Sequence, residues 1–276
     1  MKARITEALA TQPDRGEGED VVLWRAGAFA VVTLNCPAAH NAIRFDTWRR
    51  LAELFEQFRA AEDVRVVVLR GAGRRAFSAG ADIREFPERR MPLDKALVYN
   101  EVLAAALTAL MTCPVPVLAM IRGLAVGGGC ELAAACDLRI ASDDARVGIP
   151  IGRLGVTLGE GEARAVRRLI GSARLKDLLF TGRVLDAHEA LSIGFLDRVV
   201  PAERIVGATV EMAEAIASSA PVTIRAAKLV ADLDVATPAA EQVAELATLA
   251  AAAYDGDDFK EGVDAFLTHR APRFRT

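Results

Sequence analysis

Two apolar, β-branched runs that each end near glycine constrain the fold of this 276-residue chain more than any other feature. They are VRVVVLR at 64–70 and PVPVLAMIRG at 114–123. Runs of this kind are typical of strands buried on both faces of a sheet. The segment from Leu93 to Met111, between them, is rich in Ala and Leu and predicts a crossover helix. Strand, helix and strand in this order indicate α/β architecture.

Other segments extend this pattern. Residues 21–35 hold two β-rich runs around Arg25-Ala26-Gly27 and predict a hairpin. The segment 45–63 has apolar residues at helical spacing, with Asp46 as the candidate N-cap. Helices are also expected after Gly129 and over residues 161–180.

Composition along the chain predicts three parts. Residues 1–20 combine Pro, Gly and charge with few large apolar groups, so they are expected to be poorly ordered. Residues 21–200 contain the predicted strands, the last of them at LDRVV, 196–200. From residue 201 to 276 the sequence is Ala-rich and helical, which predicts a C-terminal helical module.

Overall composition excludes several classes of function. A content of 52% hydrophobic and 26% charged residues is that of a globular protein, and a net charge of −3 gives no general attraction for nucleic acid. The cysteines form no CxxC pair, so neither a metal site nor a disulfide scaffold is expected. The N-terminal segment lacks the apolar core of a secretory signal, and charges interrupt the later apolar stretches. A cytoplasmic protein without membrane contact is therefore expected.

Two glycine-rich segments are candidate ligand sites. GAGRRA at 71–76 formally matches a dinucleotide fingerprint, but FSAGAD at 77–82 interrupts the helix that such a site needs. In GLAVGGGCELAAACD, 123–137, three glycines stand between a strand and a helical pattern. Glycines at a helix start let backbone N–H groups approach a ligand and stabilise negative charge, although they can also serve only close packing.

The segments AFSAGADI at 76–83 and GLAVGGGCELAAACDLRIAS at 123–142 together resemble the two signature segments of the crotonase (enoyl-CoA hydratase/isomerase) superfamily. Residues 182–201 and 259–274 also resemble segments of that family, so the likeness runs from about residue 21 to the end. It implies a spiral of β-β-α repeats with a helical C-terminal module that packs in a homotrimer, often a dimer of trimers. The implied substrate is an acyl-CoA thioester, with coenzyme A as part of the substrate and no separate cofactor.

The resemblance also implies roles for individual residues. The backbone N–H groups of Ala81 and Gly128 correspond to the family's oxyanion donors, and Glu131 corresponds to the first of two catalytic glutamates. Glu131 lies one helical turn after Gly128, so one short segment could supply both a donor and an acid/base group. The further substrate contacts implied are Ala38, Ala39, His40, Ala79, Gly80, Asp82, Ile83, Arg84, Gly127, Pro150, Ile151, Arg270 and Arg273, of which the last two can come from a neighbouring subunit.

One position departs from the family pattern. The second glutamate should follow Pro150, where this chain has Ile151, whose side chain is expected to face the acyl pocket. Glu160 and Glu162 stand nearby, and either could replace the carboxylate or lie on a solvated loop. An enoyl-CoA hydratase is the best single prediction. The alternatives are an enoyl-CoA isomerase, an acyl-CoA decarboxylase, or a catalytically degenerate acyl-CoA-binding homologue.

Overall fold

Residues 2–11, 19–233 and 239–274 are described in the computed structural model of the chain. The strands within these residues are β1 (Val21–Ala26), β2 (Phe29–Leu34), β3 (Val66–Gly71), β4 (Ala76–Ser78), β5 (Val117–Ile121), β6 (Leu124–Val126), β7 (Leu138–Ser142), β8 (Arg146–Gly148), β9 (Val184–Asp186) and β10 (Arg198–Val200). The α-helices are α1 (Lys2–Ala10), α2 (Phe45–Gln57), α3 (Phe86–Arg89), α4 (Leu93–Met111), α5 (Gly128–Ala135), α6 (Glu160–Thr181), α7 (Ala187–Ser192), α8 (Ile205–Ala217), α9 (Pro221–Asp232), α10 (Ala240–Asp255) and α11 (Asp257–Leu267).

The strands form two sheets. The larger has the order β1-β2-β3-β5-β7-β10, and the smaller has the order β4-β6-β8-β9. From β2 to β10 the strands of the larger sheet are parallel, while β1 and β2 form the predicted antiparallel hairpin. Each of β3, β5 and β7 is followed by a strand of the smaller sheet and then by helices. This repetition confirms the predicted β-β-α spiral.

Alternate residues of the central strands fill two separate cores. In β3, Val67 and Leu69 join the core that holds α2, α4 and α5, whereas Val66 and Val68 join the core on the opposite face. Because successive side chains of a strand point to opposite faces, a strand buried on both sides needs a continuous apolar run. The run at 64–70 was interpreted in this way, and the structure confirms it.

The prediction of poor order in residues 1–20 is wrong for the part that the structure describes. Residues 2–10 form α1, whose Ile5 and Leu9 are 0% and 1% exposed. Both side chains pack with α8 in the core that contains Val66 and Val68, which we call the second core. Arg70 of β3 donates hydrogen bonds to the carbonyls of Leu9 and Thr11 at 2.8 and 2.6 Å. Tertiary burial thus orders a segment whose composition favours disorder. Residues 12–18 lie outside the described ranges.

Two further predictions need correction. Asp46 is not the N-cap of α2, because the helix starts at Phe45, whose N–H donates to Glu85 Oε2 at 2.8 Å. The cap therefore comes from a distant loop. The boundary at residue 201 also falls inside the core, because α8 buries Ile205 and Val210 against the larger sheet. The sparsely buried helices begin with α9, at Pro221.

Within the part of the chain that the structure describes, every helix is too short or too polar to span a lipid bilayer.

Candidate active site

Three turns converge at one end of the β-β-α spiral. They contain residues 38–41, 78–81 and 127–129. Buried Asn41 joins the first turn to the segment that precedes the second, since its Nδ2 donates to the carbonyls of Ala72 and Ala76 at 2.9 and 2.8 Å. Buried Ser78 donates from Oγ to the carbonyl of Asn41 at 2.7 Å and accepts from the N–H of Gly80 at 3.1 Å. These bonds hold the turn that precedes Ala81 in a single conformation.

The backbone at Ala81 leaves one N–H unused. Ile43 pairs with Ala81 in a parallel bridge, in which the N–H of Ile43 donates to Gly80 at 2.8 Å and the carbonyl of Ile43 accepts from Asp82 at 2.9 Å. A parallel bridge of this kind takes the groups on either side of the central residue and leaves that residue's own N–H on the opposite edge. The N–H of Ala81 has no acceptor among the described residues.

The second unused N–H belongs to Gly128, the first residue of α5, where no intrahelical acceptor exists. Glycines allow the two N–H groups to approach each other. A Cβ at Gly80 would lie 2.9 Å from the nitrogen of Gly128, and one at Gly128 would lie 3.5 Å from the nitrogen of Ala81. Gly127 adopts φ 54° and ψ −126° to start the helix. Two convergent N–H groups at a helix N-terminus form a suitable site for an oxyanion.

A cavity of about 290 Å³ opens beside these groups. Its wall contains eight of the sequence-predicted residues, namely Ala79, Ala81, Ile83, Gly127, Gly128, Glu131, Pro150 and Ile151. Ile151 lies on the wall, as expected for a residue predicted to face the acyl pocket. Apolar residues that the sequence did not single out complete most of the wall, namely Phe86, Leu103, Val126, Leu154, Val156 and Leu158.

Glu131 is 4% exposed and lies in the first turn of α5, beside the N–H of Gly128. Burial, and to a smaller extent the negative charge of Glu162, raise the pKa of Glu131 to about 8, while Arg90 opposes the rise. Desolvation favours the neutral acid in this position. Glu131 is therefore a carboxylic acid that can donate a proton at neutral pH and accept one back.

The structure distinguishes the two acids near the start of α6. Glu162 is 5% exposed and lies on the cavity wall, with its carboxylate in the space that any side chain at residue 159 would occupy. Glu160 has a side chain that is 74% exposed, and it forms an ion pair with Arg167 at 3.4 Å. Glu162 thus brings a second carboxylate to the cavity, from a position different from residue 151.

Six other residues predicted for substrate binding are not part of the cavity wall, namely Ala38, Ala39, His40, Gly80, Asp82 and Arg84. Ala38 and Ala39 lie in a single 3-10 turn, and the carbonyl of His40 accepts from the N–H of Ala79 at 2.9 Å. Buried Asp82 forms an ion pair with Arg84 at 2.6 Å, and hydrogen bonding to Arg84 lowers the pKa of Asp82. The guanidinium of Arg84 remains largely exposed beside the site.

The structure does not bring Arg270 and Arg273 to this cavity. The guanidinium of Arg270 pairs with Glu261 and Asp264, both at 2.6 Å, and the N–H of Arg273 donates to Glu261. Both arginines border a different surface depression beside α11. Their contact with a substrate stays a prediction, and it requires a neighbouring subunit.

Sequence reasoning missed the charged residue Arg90. It lies on the cavity wall immediately after α3, in a segment without any recognisable motif. Arg90 reaches the cavity because the segment between β4 and α4 passes beside it. Arg153 and Thr157 were also missed on this wall.

A larger cavity, of about 1300 Å³, lies among α9, α10 and α11. Its wall contains none of the predicted site residues. Among the described residues, no group of three or more His, Cys, Asp or Glu side chains is arranged to hold a metal ion.

Comparisons with known proteins converge on one family. A family model described as enoyl-CoA hydratase/isomerase matches residues 25–276. The short-chain-enoyl-CoA hydratase of Clostridium acetobutylicum is 38% identical over 214 residues, which cover 77% of this chain and 80% of that protein. The (E)-benzylidenesuccinyl-CoA hydratase of Thauera aromatica is 35% identical over 255 residues, 92% of this chain and 98% of that protein. The crystal structure of an enoyl-CoA hydratase/carnithine racemase from Magnetospirillum magneticum superposes with a TM-score of 0.87 at 38% identity, covering 93% of this chain and 96% of that one.

Proposed function

Since this chain belongs to the enoyl-CoA hydratase/isomerase family, we propose that it adds water reversibly to a 2-enoyl-CoA thioester, with Glu131 and Glu162 sharing the proton transfers. The observation that carries this proposal is the meeting of two buried carboxylates and two unused backbone N–H groups at one cavity. Hydration needs both kinds of group: donors for the thioester oxygen and a pair of groups that move protons.

The chemistry follows from the positions of these groups. The N–H groups of Ala81 and Gly128 bind the thioester oxygen and stabilise the enolate that forms when water attacks the β carbon. Such donors contribute roughly 3–4 kcal/mol each in well-studied sites. Glu162 accepts the proton of the attacking water, and Glu131, which is protonated below pH of about 8, donates its proton to the α carbon. The product carries a hydroxyl at the β carbon, and proton exchange between the two neighbouring acids restores the starting state.

Glu131→Gln tests this proposal, because it keeps the size of the side chain and removes its acid. Turnover of crotonyl-CoA and of longer 2-enoyl-CoA thioesters should fall at least about 100-fold, within the range of general acid–base contributions, while binding of the thioester is nearly unchanged. Turnover is followed by loss of the enoyl absorbance and by the mass of the product. Unchanged turnover in this variant would contradict the assignment of Glu131.

Product mass separates hydration from the alternatives. A hydratase adds the mass of water, an isomerase leaves the mass unchanged, and a decarboxylase removes the mass of carbon dioxide from a carboxylated thioester. Tight binding of all these thioesters without a change in mass would instead identify a degenerate binding protein, which the apolar Ile151 would favour.

We also propose that the protein is cytoplasmic, needs no cofactor besides the coenzyme A of its substrate, and forms a homotrimer or a dimer of trimers. The oligomer is supported by large apolar side chains left exposed on the C-terminal helices, among them Tyr254 at 71% and Phe266 at 80%.

A further inference from the structure

Arg90 places a positive charge on the wall of a mainly apolar cavity. The residue is half-buried and lies on the same wall as Glu131, with Phe86 and Leu103 among its apolar neighbours there. A charged group near apolar surface is costly unless it has a partner of opposite charge. The position therefore needs a physical account.

Two aromatic rings and an amide fix the guanidinium. Its central carbon lies 5.0 Å from the ring centroid of Phe86 and 4.9 Å from that of Tyr99, and Nη2 donates to Oδ1 of Asn100 at 2.9 Å. Phe86 and Tyr99 are 6% and 0% exposed, so they hold the cation on rigid surfaces. The guanidinium is thus held in place before any ligand binds.

Most of the hydrogen-bonding capacity of Arg90 is unused. A guanidinium has five N–H donors, and within the described ranges Asn100 is the one hydrogen-bond acceptor of the Arg90 guanidinium. No carboxylate among the described residues forms an ion pair with it, in contrast to Arg84, which is paired with Asp82. The remaining donors can take a carboxylate in bidentate geometry.

The charges on the cavity wall leave a positive surplus. Glu131 is neutral at pH 7 because burial raises its pKa to about 8. Besides Glu131, Glu162 is the one acidic residue on a wall that also carries Arg90 and Arg153. A negatively charged group of a ligand would neutralise the excess positive charge on this wall.

We propose that Arg90 binds a carboxylate carried by the acyl group, so that the preferred substrates are 2-enoyl-CoA monothioesters of dicarboxylic acids. This inference rests on the proposed function and narrows it to a substrate class. It assigns Arg90 to the part of the substrate beyond the reacting double bond.

The test compares two series of 2-enoyl-CoA thioesters of five to eight carbons, one ending in a carboxylate and the other in a primary amide. The amide matches the carboxylate in shape and lacks its charge. In the wild type, kcat/KM for the carboxylate should exceed that for the amide at least tenfold at the best chain length. In Arg90→Gln this ratio should fall below about threefold, and Arg90→Lys should retain an intermediate ratio because it keeps the charge and loses the bidentate geometry.

Arg89→Gln is the matched control. Arg89 is adjacent in sequence and stacks on Phe45 at 5.2 Å, beside a different surface depression, so its loss removes the same charge without touching the cavity wall. This variant should keep the wild-type ratio. A fall in the ratio equal to that of Arg90→Gln would show a general charge effect and overturn the proposal.

Other outcomes separate this inference from the function on which it rests. Equal kcat/KM for the two series in the wild type overturns the role of Arg90 and leaves hydration intact. An equal loss on both series in Arg90→Gln also overturns it, because Arg90 would then serve coenzyme A or the catalytic acids. If neither these series nor crotonyl-CoA is hydrated, the proposed function fails. The role of Arg90 is then tested without turnover, by the carboxylate-to-amide ratio of the dissociation constants that calorimetry gives for the saturated thioesters.

Discussion

Glu162, near the start of α6, brings a carboxylate to the cavity wall on which residue 151 has an apolar side chain. Ile151 and Glu162 lie on the same cavity wall, although they are eleven positions apart in the chain. An acid can therefore reach the cavity from either segment, and the position of the second carboxylate need not follow the usual motif. The negative charge of Glu162 adds to the effect of burial in raising the pKa of Glu131, because like charges at close range disfavour two ionised acids.

Glu162→Gln should lower hydration of 2-enoyl-CoA at least about 100-fold, because it removes the group that accepts the proton of water. Glu160→Gln is the control, since this side chain is 74% exposed and points away from the cavity. It should stay within twofold of the wild type. In the Glu162→Gln background, Ile151→Glu should recover part of the activity if the new carboxylate reaches the same water. Full activity in Glu162→Gln would refute its catalytic role.

Glu131 should also make stability depend on pH. Its folded pKa of about 8 lies above the ordinary 4.5, so the folded state holds this proton more tightly, and the contribution to stability is lost as pH rises through that window. Glutamine cannot ionise, so Glu131→Gln avoids the free-energy cost of a negative charge in this buried site. Relative to the wild type, the variant should gain roughly 1–4 kcal/mol between pH 5 and pH 8, at about 1.4 kcal/mol per pH unit. Thermal melts at both pH values measure this difference, and an equal difference at both would contradict the buried acid.

Among the elements, α1 shows how a short helix becomes ordered through its contacts. Isolated helices of nine residues are marginal in water. Here two apolar side chains enter the second core, and Arg70 satisfies carbonyl groups at the helix end, which would otherwise lack donors. The helix therefore depends on the sheet for its order.

Ile5→Ala should destabilise the protein by roughly 2–4 kcal/mol, the usual cost of emptying a fully buried aliphatic site. Arg4→Ala, at an exposed position of the same helix, should change the unfolding free energy by less than about 0.5 kcal/mol. Denaturant unfolding measures both. Because the cavity contains no residue of α1, kcat/KM of the folded Ile5→Ala enzyme should equal that of the wild type. A cost below 0.5 kcal/mol would mean that α1 is not docked.

At the scale of the whole molecule, the last two helices expose a group of large apolar side chains. Tyr254, Phe259, Phe266 and Leu267 are 71%, 51%, 80% and 69% exposed, and the cavity of about 1300 Å³ lies among the same helices. Grouped apolar exposure of this extent marks association surfaces. The C-terminal helices therefore support the proposed oligomer.

Light scattering at micromolar concentration should give three or six times the protomer mass for the wild type. Phe266→Glu should shift the population towards monomer, because a charge would enter an apolar interface. Phe180→Glu changes an equally exposed phenylalanine, 81% exposed on α6, and should keep at least the trimer. A monomeric wild type would contradict the oligomer proposal.

The sequence by itself determined features that depend on local spacing. The α/β architecture followed from β-branched runs on either side of an Ala-rich helix, whereas the β-β-α spiral was implied by the resemblance to a family. The position of Glu131 beside Gly128 followed from their separation of three residues at a helix start. Residues three positions apart in a helix lie about one turn apart, so Glu131 stays beside Gly128 whatever the position of the helix in the molecule. The same locality explains why α4 begins and ends at the predicted residues, Leu93 and Met111.

Only the tertiary structure decided which side of each helix or loop faces the cavity. Glu160 and Glu162 are two residues apart, so they point to nearly opposite sides of α6, and only the docking of the helix shows which one enters the cavity. The same holds for the position of Arg90 on the cavity wall and for the cap that Glu85 provides to α2. Each of these contacts joins segments that local spacing leaves unrelated, because packing across the core, not helical or strand periodicity, sets their distance.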